Sequence, residues 1–214
     1  MDTGISLLNY PSRTSRETFH PEAIIRVFIA LPLPVHIAEH LADIGMALKD
    51  MFRGVKPVHA HAVHLTLSFL GEQTEERIEM LKSLMADELL AHSVFTAHLT
   101  SAGTFPPYGT PKIIWAGIDA GAGAATNDNA LITYQHKVKK LLVENGFPEA
   151  DEKRPFHPHL TIARNRFAVI PQSVLDGFSL NTEVFEIDTC ALFESRLHPW
   201  GAEYHKLAIH EFSK

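Results

Sequence analysis

The segments His64-Leu65-Thr66-Leu67 and His159-Leu160-Thr161-Ile162 repeat one four-residue pattern: histidine, aliphatic residue, threonine, aliphatic residue. In an extended strand successive side chains point to opposite faces, so each His and Thr share one face and the aliphatic pair takes the other. Two imidazoles with intrinsic pKa values near ~6.5 hold complementary protonation states around neutrality. One can accept a proton from an attacking oxygen while the other protonates a leaving oxygen. The threonine hydroxyls can donate to the non-bridging oxygens of a phosphoryl group, where transition-state charge sits. Arg164 follows the second motif and adds a fixed cation. Such a set suits phosphoester cleavage. One His-x-Thr in a strand says little; two, at equivalent points of a repeated unit, point to function.

The flanking sequence contains that unit. Ile24 to Leu31 is β-branched and aromatic, stopped by Pro32 and Pro34, and predicts a strand. From Val35 to Phe52, the spacing of Ile37, Leu41, Ile44 and Leu48 predicts an amphipathic helix. Val63 to Leu70 alternates, with Leu65, Leu67 and Phe69 expected on one face and His64, Thr66 and Ser68 on the other. A helix from Thr74 and a strand over Phe95 to Ala102 come next. The pattern then restarts with a strand over Lys112 to Ile118, a Gly/Ala/Asn loop over Ala120 to Asn129, and a helix through Leu131, Tyr134, Val138 and Leu142. Asn145-Gly146 closes that helix, and His157 to Ala163 is the second motif strand. The tail adds strand candidates over Val184 to Leu192 and Tyr204 to Phe212. The first strand and its histidine lie about 40 residues apart in one copy and about 47 in the other. Two copies signal duplication. The expected architecture is α+β: two similar lobes related by a pseudo-twofold axis, antiparallel-rich sheets, outer helices and a central cleft. Residues 23–214 are expected to form a single bilobal domain, and residues 1–22 a flexible N-terminal extension.

Composition narrows the classes. The 214 residues are 45% hydrophobic and 21% charged, which fits a globular chain and excludes collagen-like, disordered and disulfide-framework proteins. The single Cys190 has no internal bridging partner, which favours a reducing compartment. Net charge of −6 argues against nonspecific coating of nucleic acid or membrane. Between residues 152 and 166, however, Lys153, Arg154, Arg164 and Arg166 face only Glu152, a locally basic mouth for an anionic substrate. No apolar run approaches the roughly 20 residues of a membrane-spanning helix, and a cytoplasmic location is expected.

The chain resembles the 2H phosphoesterase superfamily, and within it the RNA 2′,3′-cyclic phosphodiesterases also called 2′-5′ RNA ligases. The resembling segments are Arg26 to Pro32, His64 to Glu72, Gly103 to Pro106, Pro158 to Arg164, and Leu192 to Leu197 followed by Tyr204. The residues before 24 and the Gly/Ala-rich loop depart from the family pattern. The resemblance implies hydrolysis of an RNA 2′,3′-cyclic phosphate to a 2′-phosphate without metal or other cofactor. It makes His64 the proton donor and His159 the proton acceptor, with Thr66, Thr161 and Arg164 on the phosphate. It implies an RNA 3′ end or a small cyclic-phosphate nucleotide as partner. An RNA 5′-hydroxyl in place of water would give ATP-independent 2′-5′ ligation. The residues themselves do not say which histidine is the acid.

Fourteen histidines leave alternatives open. The His59/His61 and His157/His159 pairs, and His36/His40 at helical spacing, could ligate a metal, which keeps a metal-dependent phosphoesterase in view. A non-catalytic RNA- or nucleotide-binding module is the other alternative, although binding alone does not need two proton-transfer groups. Phe156 and Tyr204 are candidates for base stacking at the cleft rim.

Overall fold

The computed structural model describes residues 24–88, 94–120, 130–150, 152–180, 183–199 and 201–213. The N-terminal extension and residues 121–129 of the Gly/Ala/Asn loop lie outside them.

β1 (Ile24–Pro32) ends in prolines, and α1 (Val35–Met51) begins directly after Pro34, whose missing N–H costs a helix start nothing. Ile37, Leu41, Ile44 and Leu48 form the buried stripe of α1, as their spacing predicts. β2 (Val55–Pro57), β3 (His64–Thr74) and α2 (Glu75–Glu88) complete the first unit. β4 (Phe95–Phe105) comes next, and β5 (Ile113–Ala120), α3 (Ala130–Glu144) and β6 (His159–Asn165) form the second unit. Gly146 stops α3 at φ +85°, a conformation that costs glycine little, and the Asn145 side chain donates to Leu141 O. The chain ends with α4 (Gln172–Asp176), β7 (Phe185–Ile187), β8 (Thr189–His198) and β9 (Gly201–Glu211).

The strands form one sheet in the order β7-β4-β5-β6-β3-β1-β8-β9, with β2 on β6. From the β6/β3 seam outward, the two halves read β6-β5-β4-β7 and β3-β1-β8-β9. β1-α1-β3 and β5-α3-β6 are thus the two copies, each an antiparallel pair with the motif strand at the seam. The halves exchange strands: β4 comes after the first unit in sequence yet pairs with β5, and β8 returns to pair with β1. The run expected as one strand over Val184 to Leu192 is therefore two. It breaks at Asp188, with β7 on the edge of one half and β8 inside the other. Among the described residues, α1, α2, α3 and α4 all pack on one face of the sheet and leave the other face free of described helices: Ile37, Ile78, Leu131 and Leu175 join Leu65 and Leu160 in a single core.

The motif strands depart from simple alternation at the same place. Opposite β1, the register steps from Thr66 to Ser68 and omits Leu67; opposite β5, it steps from Thr161 to Ala163 and omits Ile162. Each is a β-bulge, one extra residue that reverses the facing of the residues after it. Leu67 and Ser68 are both buried, as are Ile162 and Ala163. Phe69, expected beside Leu65 and Leu67 on the core face, instead turns to the helix-free face and is 58% exposed, while Ser68 is 7% exposed. By the same reversal Arg164 joins the face of His159 and Thr161. A bulge also leaves a backbone group without a ladder partner, and both bulged carbonyls are met from outside the strand. The Gln135 amide of α3 donates to Leu67 O (3.1 Å), and the Val58 N–H donates to Ile162 O (2.8 Å). α1 also presses on the second bulge, where a Cβ on Gly45 would come 2.9 Å from Ile162 O.

Removing the donor at the first bulge leaves a buried carbonyl unpaired, at a cost of about 1–3 kcal/mol. Gln135→Leu should therefore lower Tm by roughly 2–10 °C, read by calorimetry. An unchanged Tm would show that Leu67 O does not depend on Gln135.

Candidate active site

The seam brings the two motifs together. β3 and β6 meet at the register pair Leu65↔Leu160, which sets the histidine before it and the threonine after it on each strand onto the helix-free face. His64, Thr66, His159 and Thr161 are all partly buried there. The first motif sends Phe69 toward one end of this cleft and the second sends Arg164 toward the other, because the strands run antiparallel.

Each imidazole is held by the carbonyl two residues before it. His64 Nδ1 lies 2.9 Å from Ala62 O, and His159 Nδ1 lies 2.7 Å from His157 O. A carbonyl only accepts, so Nδ1 carries the hydrogen in both rings, and in the neutral imidazole Nε2 keeps its lone pair on the opposite side. Aromatic side chains fix the ring planes. Phe28 lies 4.9 Å from His64, Phe193 5.7 Å, and Tyr204 meets it edge-on at 5.1 Å. Across the seam, Phe105 meets His159 edge-on, also at 5.1 Å. Trp115 and Phe105 pack against His157, and Gly103 leaves room for the Trp115 indole, which a Cβ would strike.

This enclosure disfavours charge on both rings. Burial drives His64 down to about 4; its Ala62 hydrogen bond opposes the shift, and the charges of Arg164 and His159 add to it. His159 is also lowered, first by burial, against its own backbone hydrogen bond and with His157 contributing. In the free protein at pH 7 both are neutral. That Arg164 and His159 act on His64 at all places the three groups within one electrostatic neighbourhood.

Other candidates fall elsewhere. Tyr204 stands in the cleft wall, but Phe156 packs against the main core. Arg154 pairs with Glu152 at 2.5 Å, which takes it out of the expected basic block. His59 and His61 stack at 5.5 Å on the turn before β3. His40 Nε2 lies 3.0 Å from Ser179 O. Among the described residues, no three His, Cys, Asp or Glu side chains are grouped to hold a metal ion. Cys190 is fully buried with its thiol pushed up to about 12, so it is no nucleophile at neutral pH. Phe28, Phe105 and Phe193 lie in segments that carry the family resemblance, but the sequence assigns neither them nor Trp115 a place in the site. Their signal is aromatic residues on strands beside the motif strands, which period-two reasoning reads equally well as core.

The 2′-5′ RNA ligase superfamily pattern matches residues 33–198. The chain belongs to that superfamily. A Thermus thermophilus protein named RNA 2′,3′-cyclic phosphodiesterase is 33% identical over 84% of this chain and 86% of its own length. A Methanocaldococcus jannaschii protein of the same name is 29% identical over 84% of this chain and 96% of its own. Among solved structures, one from Thermus thermophilus superposes with a TM-score of 0.73 at 28% identity, over 87% of this chain and 97% of that one. E. coli LigT complexed with 3′-AMP shares the fold at 24% identity, with a TM-score of 0.66 over 90% of this chain and 100% of its own. No described helix of this superfamily member is long and apolar enough to cross a membrane.

The depressed histidines tie stability to pH. The unfolded chain takes up the proton of His64 near pH ~6.5, the folded one only near about 4, so stability is full above 6.5 and falls as pH drops through that window. The difference is worth up to about 3 kcal/mol. His64→Asn keeps a donor for Ala62 O without the titration. Its denaturant-derived stability should fall less than the wild type's between pH 7 and pH 4, by up to that amount. Parallel curves would contradict the depressed value.

Proposed function

We propose that the protein hydrolyses RNA 2′,3′-cyclic phosphodiester ends to 2′-phosphomonoesters by paired-histidine acid–base catalysis. The observation that carries this reading is the meeting of two identically tethered imidazoles at the seam, with two threonines and one guanidinium on the same face. The names of the Thermus and Methanocaldococcus relatives support the substrate class.

A cyclic phosphate monoanion seated between the motifs replaces the repulsion of Arg164 and His159 on His64 with an attraction, and its binding supports an imidazolium there. His159 Nε2 takes a proton from water as the water oxygen attacks phosphorus. The P–O3′ bond breaks, and His64 Nε2–H protonates the departing 3′ oxygen, leaving the phosphate on O2′. Thr66 and Thr161 donate to the non-bridging oxygens, and Arg164 balances their growing charge. With an RNA 5′-hydroxyl in place of water the same transfers form a 2′-5′ linkage without ATP. No step requires a metal or cofactor. Both lobes supply groups, so residues 23–214 act as one catalytic unit, and the RNA end is its partner. A cytoplasmic setting agrees with an unbridged, buried Cys190.

His64→Ala and His159→Ala should each lower kcat on an oligonucleotide 2′,3′-cyclic phosphate by about 10²–10⁴-fold or more while circular dichroism stays native. A near-normal rate in either variant refutes the pairing. Activity should persist after exhaustive chelation; its loss, restored by a divalent cation, would favour a metal-dependent phosphoesterase. Binding of the cyclic phosphate without any turnover would favour the non-catalytic module.

The pH profile carries the sign of the shifts. At pH 7 only about one free molecule in 10³ holds a proton on His64, if its pKa is about 4. The singly protonated form is therefore depleted as pH rises, and kcat/KM should fall about tenfold per unit above pH ~6.5. The limb of kcat should lie at higher pH, because bound phosphate raises His64. A kcat/KM flat to pH 8 would overturn this.

A further inference from the structure

We infer that the cations beyond Arg164 form a second phosphate-binding position, which makes the preferred ligand an RNA strand carrying at least one phosphodiester upstream of its terminal phosphate. This rests on the reading of the cleft as a site for a terminal cyclic phosphate.

The geometry begins at the β6 bulge. Having turned Arg164 onto the cleft face, the chain continues in register with β2: Arg164 lies opposite Lys56, and Asn165 opposite Val55. Cross-strand partners share a face, so Lys56 projects beside Arg164 on the cleft side. The alternation is intact here, since Val55 and Asn165 are buried while Lys56 and Arg164 are exposed. The Arg166 N–H then bonds Gly54 O at 3.1 Å and extends the β2–β6 pairing by one step. That step returns Arg166 to the exposed face. Two residues along a strand span about 6.6 Å, the scale of one nucleotide step. Lys112, also exposed, reaches the same end of β6, with Nζ 3.4 Å from Arg166 O.

Lys56, Arg164 and Arg166 therefore gather at one end of the cleft, with Lys112 at the same end of β6, in a chain whose net charge is −6. Among the described residues none of the four has a carboxylate within ion-pair distance. Elsewhere on the surface Arg154, Lys82 and Lys140 each have one, on Glu152, Glu79 and Glu144. A terminal phosphate needs Arg164 alone. Cations continuing past it at nucleotide spacing match a ligand whose negative charge also continues. The pseudo-symmetric position at the other end of the cleft holds Phe69 where the second motif holds Arg164. A hollow elsewhere is lined in part by Glu76, Glu79 and Asp87 and would repel the same ligand.

Equilibrium binding to the intact protein tests this without relying on turnover. The probes are adenosine 2′-phosphate and its dinucleotide counterpart, with one phosphodiester upstream of the terminal 2′-phosphate. The dinucleotide should bind about fivefold or more tightly, with a steeper dependence of log affinity on log salt concentration. Lys56→Gln combined with Arg166→Gln should bring both the affinity ratio and the difference in salt slope close to those of a single phosphate. Equal affinities in the wild type, or a dinucleotide advantage that survives the double substitution, would overturn the inference. Failure of the hydrolytic reading appears separately, as absent turnover of cyclic-phosphate substrates regardless of this ratio.

Discussion

Two bulged residues, Leu67 and Ile162, decide what the cleft contains. Each inserts one position into a motif strand and reverses the facing of the residues after it. Without the reversal, Phe69 and Arg164 would lie against the helices, and Arg164 would bury a guanidinium in an aliphatic core. The strand can hold the extra residue only if its carbonyl finds a donor, because a buried unpaired carbonyl costs on the order of a hydrogen bond or more. The two halves meet the requirement differently, one with a glutamine side chain from α3 and the other with the Val58 backbone N–H. Helix placement and catalytic-face composition are thereby linked. α3 supplies the donor at the first bulge, and α1 approaches the second so closely that Gly45 has no room for a side chain.

The halves agree in framework and differ in what they present. Both tether Nδ1 of the histidine to a carbonyl two residues earlier, both set an aromatic edge 5.1 Å from the imidazole, and both place threonine after it. This fixes tautomer and ring plane before any ligand arrives, which is the preorganisation that proton transfer needs. The difference lies at the position after the bulge, aromatic in one half and cationic in the other. A symmetric frame thus carries an asymmetric cleft, as suits a phosphoester whose entering and leaving oxygens need opposite services.

The same enclosure sets the charge state. Burial, with Arg164 nearby, keeps His64 neutral in the free protein, and under the proposed function a bound phosphate would bring the favourable charge that His64 lacks. The fold tolerates the buried pair because neutral imidazoles cost little to bury.

Much of this was legible in the chain. The repeated unit, the α1 and α3 stripes, and the His64/Thr66 and His159/Thr161 pairs emerge from hydrophobic period and spacing, which local sequence determines directly. Three features were not legible. Alternation gave the wrong face for Phe69, because an inserted residue breaks a period-two count without altering composition. The run over Val184 to Leu192 read as one strand, because its division at Asp188 depends on which neighbours each part pairs with. The aromatic walls looked like core, because a strand aromatic is equally apolar on either face. By itself, then, the sequence determined which groups could do chemistry and that there were two sets of them. Only the tertiary structure decided that they meet, which ring nitrogen is tethered, and which side chain after each bulge faces the cleft, because register, bulges and strand exchange are set by pairing between segments far apart in the chain.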